Sequence, residues 1–400
     1  MFENLIGQEP VVSLLREDIG RGSLPASVLF CGPEYSGKLT AALETARVLT
    51  CAERGDWSCA CRSCELQRLL LHPDVALVGG RYFYQELAAC ADTLRKSPRD
   101  ATRYLLVRAV RKLTRRFDAR LWEGEENRVQ KAAPHIAALE DELGAIQPGR
   151  ELPGPEELEA ALERILASAA KALDAVNLDL ITIHLIRRLA AWSHLAGTGR
   201  RKLIIIENAD RMNDSARNAL LKALEEPPAG VGFILLSTRR GAIVPTVLSR
   251  VRTYVFSARG EAESRQVLDR IFREGTGEYR TLKDFFLVFR EINPAALRAA
   301  VRHFIACARS SEPGCRDFAA ALPEEHAGLF TERGRFRLFL SELLDVLRDG
   351  LASGAEGGLG LAGLEEVRDL ARRSLESCEV YNVSPSLLAE RLFAALGGPA

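Results

Sequence analysis

The sequence predicts an α/β nucleotide-binding core on a parallel sheet, interrupted by a cysteine module and a helical insertion and followed by helical domains. Three observations predict it. Leu203-Ile204-Ile205-Ile206 is a short, β-branched apolar run, as expected of a strand covered on both faces in a parallel sheet. The stretch from Gly32 to Lys38 reads G-x-x-x-x-G-K and stands between an apolar run and an Ala-rich helix. Residues 80–175 and 257–400 are dominated by helical periodicity.

Composition narrows the class. A chain of 400 residues accommodates two or three domains. Basic and acidic residues balance at 54 each, so the whole chain has no electrostatic bias toward nucleic acid or membrane. No apolar run reaches the ~20 residues that span a bilayer. The start, MFENLIGQEP, lacks the basic and apolar regions of a signal peptide. Four of the nine cysteines fall between Cys51 and Cys64, a clustering that argues for metal rather than a disulfide framework.

Taken in order, Val11, Leu14, Leu15 and Ile19 have helical spacing, and Val28 to Cys31 is a short strand. In the loop that follows, Gly32 and Gly37 let the backbone wrap phosphates with its N–H groups. Lys38 adds a charge near the terminal phosphates, and the helix N-terminus adds partial positive charge. The slot after the lysine, which holds a Mg²⁺-binding hydroxyl in such loops, is Leu39. Thr40 comes one residue late, turned about 100° around the helix. A glycine-rich turn that binds nothing is the alternative.

Cys51, Cys59, Cys61 and Cys64 offer four thiolates for a closed, structural Zn²⁺ site with no position for water. Reduced thiols in a surface loop are the alternative. His72, beside Pro73, reads as a turn residue or a fifth candidate ligand, ahead of a strand ending at Val78.

The stretch 103–120 carries Arg103, Arg108, Arg111, Lys112, Arg115, Arg116 and Arg120. It reads either as an arm contacting DNA or a partner, or as a solvated helix face offset by Glu123, Glu125 and Glu126. Gln147 to Pro155 breaks the region into two helical arms, the second running from Glu156 to Val176. Ile181, Ile183, Ile186 and Leu189 lead into a helix that ends near Gly197.

The strand Leu203–Ile206 ends at Glu207 and Asp210, where ligands of open α/β sheets sit. Asn213 or Asp214 caps the next helix, with Ala216, Ala219, Leu220, Ala223 and Leu224 on one face; Pro227-Pro228 stops it. Gly232 to Thr238 is a further strand with Ser237 and Thr238 at its tip, placed to sense a terminal phosphate or to bond local backbone. Thr253 to Phe256 is the last strand.

In this order the pieces resemble bacterial clamp-loader subunits of the AAA+ superfamily, the delta-prime subunits of DNA polymerase III and their gamma/tau relatives. The resemblance covers residues 1–79 and 180–256. Its most specific motif is Asn218-Ala-Leu-Leu-Lys-Ala-Leu-Glu-Glu-Pro-Pro228, joined by the cysteine module, His72-Pro-Asp74 and Leu248-Ser249-Arg250-Val251. It implies an AAA+ core over 1–256, with a zinc module at 51–64 and an insertion at about 80–175. It further implies a helical lid over 257–310 and a collar, or oligomerisation domain, over 311–400. Arg250 would be an arginine finger acting on a neighbour's ATP. Gly32, Gly37, Lys38, Thr40, Glu207 and Thr238 would face ATP or ADP.

Departures from the family pattern imply a delta-prime-like subunit that does not hydrolyse ATP alone. The cysteine spacing is one residue shorter in its first two gaps, Val251 replaces a cysteine, and Glu207-Asn208 stands where hydrolysing relatives have Asp-Glu. The resemblance implies gamma/tau-like and delta-like partner subunits, a sliding clamp and primer–template DNA reached through the complex, and a bacterial cytoplasmic location. A gamma/tau-like ATPase and a DNA-binding adaptor are the alternatives. Beyond the core, Glu263–Phe272 and Pro294–Ala308 read as amphipathic helices and Ser310–Gly314 as a linker. An apolar segment carries Phe336, Leu338, Leu340, Leu343, Leu344 and Leu347, and Gly350–Gly363 reads as a flexible break.

Overall fold

In the computed structural model five strands form one parallel sheet: β1 (Ser27–Cys31), β2 (Val75–Val78), β3 (Lys202–Ile206), β4 (Val231–Ser237) and β5 (Arg252–Val255). Their order across the sheet is β2-β3-β4-β1-β5. The structure describes residues 1–310, 332–352, 361–380 and 383–397. Beyond residue 310 the expected linker lies outside the described residues, as does most of the expected break at 350–363.

All five strands are those expected; β1 to β4 are buried on both faces, while β5, at the edge of the sheet, buries Tyr254 and leaves Arg252 and Val255 exposed. Val28, Phe30, Leu203, Ile205, Ile234 and Leu236 face one apolar cluster; Leu29, Ile204, Ile206, Phe233 and Leu235 face another. Alternate residues of one strand point to opposite faces, so both faces must be apolar. The first cluster is completed by α1 (Glu9–Gly20) and α2 (Lys38–Thr50), the second by helices that follow later in the chain.

After the short α3 (Arg62–Arg68) and β2, the chain leaves the sheet. It builds a helical cluster from α4 (Phe83–Lys96), α5 (Asp100–Thr114), the single turn α6 (Ala119–Trp122), α7 (Ala133–Ala145) and α8 (Pro155–Ala175). Helix α4 packs on α5 and α8, and α7 on the same two. Leu94, Leu106, Leu139 and Leu162 are fully buried there. The expected break at 147–155 separates α7 from α8.

The chain returns through α9 (Ile183–His194), β3 and α10 (Asp214–Glu225). Asn213 caps α10: its Oδ1 accepts the Ala216 N–H at 2.9 Å, a cap that stabilises by about 1 kcal/mol. Helices α9 and α10 cover the second face of the sheet with Ile186, Leu189, Ala216, Leu220 and Leu224. After β4, the turn α11 (Pro245–Leu248) leads to β5.

Two compact units divide the chain, Met1–Phe286 and Leu287–Ala400. The first ends with α12 (Glu261–Val267), a π turn over Leu268–Phe272 and most of α13 (Leu282–Val288). In the second, α14 (Pro294–Ser310), α15 (Glu332–Ala352), α16 (Leu361–Val380) and α17 (Pro385–Gly397) share an apolar core. Phe304 packs edge-on against Phe339 and Phe393 at its centre. Phe336, Leu340, Leu343 and Leu347 of the apolar segment are buried there, with Leu338 and Leu344 partly so. Among the described residues, no helix is long and apolar enough to cross a membrane.

Candidate functional site

The carboxyl ends of β1, β3 and β4 lie side by side, because Cys31 pairs with Ser237 and Ile206 with Leu235. Everything that follows these strand ends therefore shares one edge of the sheet. After β1 comes the glycine-rich loop. A Cβ on Gly32 would stand 2.3 Å from the Phe256 carbonyl oxygen, and Gly37 has φ +93° at the start of α2. Both positions require glycine. Lys38 Nζ turns back into this loop and donates to the carbonyls of Gly32 and Pro33, each at 2.5 Å. Burial pulls the Lys38 ammonium down to about 8, against the opposing pull of Glu34, Cys31, Glu207 and Asp210. The lysine and the acids at the tip of β3 thus belong to one electrostatic site.

Leu39 is buried in the apolar cluster that holds Phe2, Leu5, Phe30 and Leu43. Its side chain is part of the core, and it offers no ligand to a cation. Thr40, one residue on, is half-buried on α2.

At the tip of β3, Glu207 is buried and both of its oxygens are taken. Oε1 accepts from Arg81 NH1 at 2.9 Å, and Oε2 accepts from Arg116. Arg81 also pairs with Glu86 at 3.0 Å, and Glu86 in turn with Lys112. Burial would raise the Glu86 carboxyl, but Arg81 and Lys112 hold it below its ordinary value. Asn208 adopts a left-handed conformation, φ +52°, and its Nδ2 donates to the Gly80 carbonyl at 2.7 Å. Asp210 accepts the Ser237 hydroxyl at 2.8 Å, while Thr238, next along, is half-buried. Sequence reasoning missed Arg81. Its signal was position, since Gly79-Gly80-Arg81 follows a strand end on the ligand edge.

The basic stretch 103–120 corrects an expectation. It is neither a DNA-contacting face nor a solvated one, because most of its charges point inward. Arg103 donates to the carbonyls of Ile146, Gln147 and Arg150. Arg108 donates to those of Gln67 and Arg68, Arg111 to Leu69, and Arg115 to His72 and Val75. Arg116 is 2% exposed; Arg120 is the exposed member of the set. Buried loop carbonyls need donors, and these guanidinium groups supply them.

The four cysteine sulfurs lie within 4.8 Å of one another. Cys51 Sγ is 3.7 Å from both Cys59 Sγ and Cys61 Sγ. A tetrahedral Zn²⁺ site with Zn–S bonds of about 2.3 Å has sulfur–sulfur edges of about 3.8 Å, so the donor set fits the metal. Burial would raise the Cys61 thiol, but hydrogen bonds from the backbone of Cys64 and Ala52 bring it down to about 6. Cys64 Sγ accepts from Arg47 NH1 at 3.1 Å. Arg47 also donates to the carbonyls of Gly55 and Asp56 and holds Glu44 through two nitrogens. His72 stands outside the group: its Nδ1 accepts the Asp74 N–H, and Nε2 lies 3.0 Å from Ser63 Oγ. It is the turn residue.

Arg250 sits on the surface just after α11. It donates to Glu225 Oε1 at 2.5 Å and to the Thr246 carbonyl at 2.8 Å.

A family model described as DNA polymerase III, delta subunit matches residues 7–129 and 156–259, more than half of the chain. The match skips α7 and the turn before α8, residues 130–155. Subunit delta′ of DNA polymerase III from Pseudomonas aeruginosa is 36% identical over 83 residues, 21% of this chain and 25% of that protein. Subunit delta′ from Bacillus subtilis is 32% identical over 97 residues, 24% of this chain and 30% of that protein. Subunit tau from Salmonella typhimurium is 37% identical over 76 residues, 19% of this chain and 12% of that protein. The chain spans less than a third of the length of each of these relatives.

Proposed function

This chain belongs to the DNA polymerase III, delta subunit family, and we propose that it is a delta-prime-like clamp-loader subunit that does not hydrolyse ATP by itself. In this reading residues 1–256 are an AAA+ core, 257–310 a lid and 311–400 a collar that joins neighbouring subunits of gamma/tau-like and delta-like type. The assembly opens a sliding clamp and places it on primed DNA in the bacterial cytoplasm. Zn²⁺ on Cys51, Cys59, Cys61 and Cys64 is structural, since four thiolates leave no position for water.

One observation carries the reading: the positions that would handle magnesium and polarise water serve the fold instead. Leu39 is in the core, both Glu207 oxygens are held by arginines, and Asn208 is tied to Gly80. An asparagine cannot accept a proton as a carboxylate does. Gly32, Gly37 and Lys38 of the loop are retained, with Thr40 on the helix after it and Thr238 just past β4, so in this reading ATP or ADP is held without turnover. Arg250, exposed on a different loop, would exchange its surface pair with Glu225 for a neighbour's nucleotide, where such a finger contributes roughly 10³–10⁵ in rate.

The intact cradle, with the match to a tau subunit, favours a second reading as a gamma/tau-like ATPase. Magnesium-dependent ATP turnover by the purified chain, with Lys38→Ala as control, separates the two. No turnover above the control supports the bracing role. Turnover that Lys38→Ala abolishes overturns it.

A further inference from the structure

The family implies a magnesium nucleotide, and the strand edge around the loop does not fit the metal. This argument rests on the reading of residues 32–38 as a phosphate-binding loop. A magnesium ion on a bound nucleotide takes a hydroxyl after the loop lysine and a carboxylate at the tip of a nearby strand, here β3. Here the first is a leucine side chain buried among Phe2, Phe30 and Leu43. The second, Glu207, has Oε1 on Arg81 and Oε2 on Arg116, all three side chains being at most 9% exposed. The next carboxylate, Asp210, accepts the Ser237 hydroxyl.

The loop retains the residue types that grip phosphate directly. Gly32 and Gly37 keep the backbone in its wrapping course, and Lys38 lies over the loop. The acids at this edge are met by side-chain cations: Arg81, Lys112 and Arg116 hold Glu86 and Glu207, while Glu34 and Asp210 act on Lys38.

We infer that the ligand of this loop is a nucleoside diphosphate bound as the free anion, without a divalent cation. The arginine pair on Glu207 stands where a metal would otherwise be needed to balance that carboxylate. A diphosphate is favoured over a triphosphate for a charge reason. Magnesium ordinarily bridges and neutralises the β and γ oxygens. With no cation there, a γ-phosphate adds charge that Lys38 alone must meet. Arg116 comes from the helical cluster outside the sheet, so that cluster is what closes the site to metal.

The test is calorimetric titration of the full chain with ADP and with ATP. Each is measured in excess magnesium and in buffer freed of divalent cations by a chelating resin, with the protein's zinc content assayed throughout. The expected result is ADP affinity equal within roughly twofold in the two buffers, ATP weaker than ADP without magnesium, and loss of both in Lys38→Met. ADP binding that is about tenfold or more tighter with magnesium overturns the inference and leaves the loop reading standing. No binding in either buffer overturns the loop reading and the inference together. ATP bound as tightly as ADP in metal-free buffer overturns the preference for the diphosphate.

Discussion

Arg47 NH1 donates to Cys64 Sγ at 3.1 Å while its other nitrogens grip Glu44, whose Oε1 also accepts the Phe2 N–H at 3.1 Å. The cysteine module is thereby wired through one guanidinium to helix α2 and to the start of the chain. Partners behind metal ligands typically set 10–100-fold of metal affinity. Arg47→Gln is expected to weaken Zn²⁺ binding by about that factor in competition with a chromophoric chelator. An unchanged affinity would show that Arg47 serves only packing.

The Arg116–Glu207 pair gives a second expectation. Removing Arg116 leaves Glu207 with Arg81, so the loss is that of one buried hydrogen bond to a charged group, about 1.5–3 kcal/mol. Arg116→Met should lower stability to urea by that order. A cycle with Glu207→Gln should return a coupling energy of about 1 kcal/mol or more. Additive losses would mean that the two side chains do not support one another in solution.

Arg250 should behave oppositely. It is exposed, and its pair with Glu225 contributes at most about 1 kcal/mol. Arg250→Ala is therefore expected to leave the unfolding of the isolated chain nearly unchanged. In the reconstituted assembly it should lower turnover at the adjoining site by roughly 10³–10⁵. Full turnover in the assembly would remove the finger from the account.

The pH dependence of ADP binding reports on Lys38. Its ammonium is held at about 8 in the unliganded loop, and a bound phosphate raises that value. Below pH 8 the lysine is charged with or without ligand, so affinity should be flat. Above it, binding must take up a proton, and affinity should fall by up to about tenfold per pH unit. Lys38→Met should abolish the slope. Titrations from about pH 7.5 to 9.5 decide the matter.

Strands β1 to β4 were legible because strands covered on both faces are written as apolar runs, and the loop because Gly32 and Gly37 mark conformations that side chains forbid. The cysteine group was legible by its clustering alone. The arginines were not, for a definite reason. A charge run has the same spelling whether it meets water or meets carbonyls, and the carbonyls that decide it, such as those of Leu69 and Val75, lie about 40 residues away. Arg81 and Arg47 were hidden similarly, since Glu207 lies 126 residues from Arg81 and Cys64 lies 17 from Arg47. Asn208 could be read as a lost acid, but not as the tether to Gly80 that it has become.

The direction in which those arginines point limits how this gene can be trimmed. Arg108, Arg111, Arg115 and Arg116 together serve the carbonyls of Gln67, Arg68, Leu69, His72, Val75 and Gly79, which belong to the segment leading into and out of β2. Excising residues 80–175 would take these donors from that row of acceptors, and expressing them alone would part the guanidinium groups from their partners. A shortened variant is expected to gain stability when new donors are installed with the deletion. Lineages of this fold that differ in length here are expected to differ in the residues beneath as well.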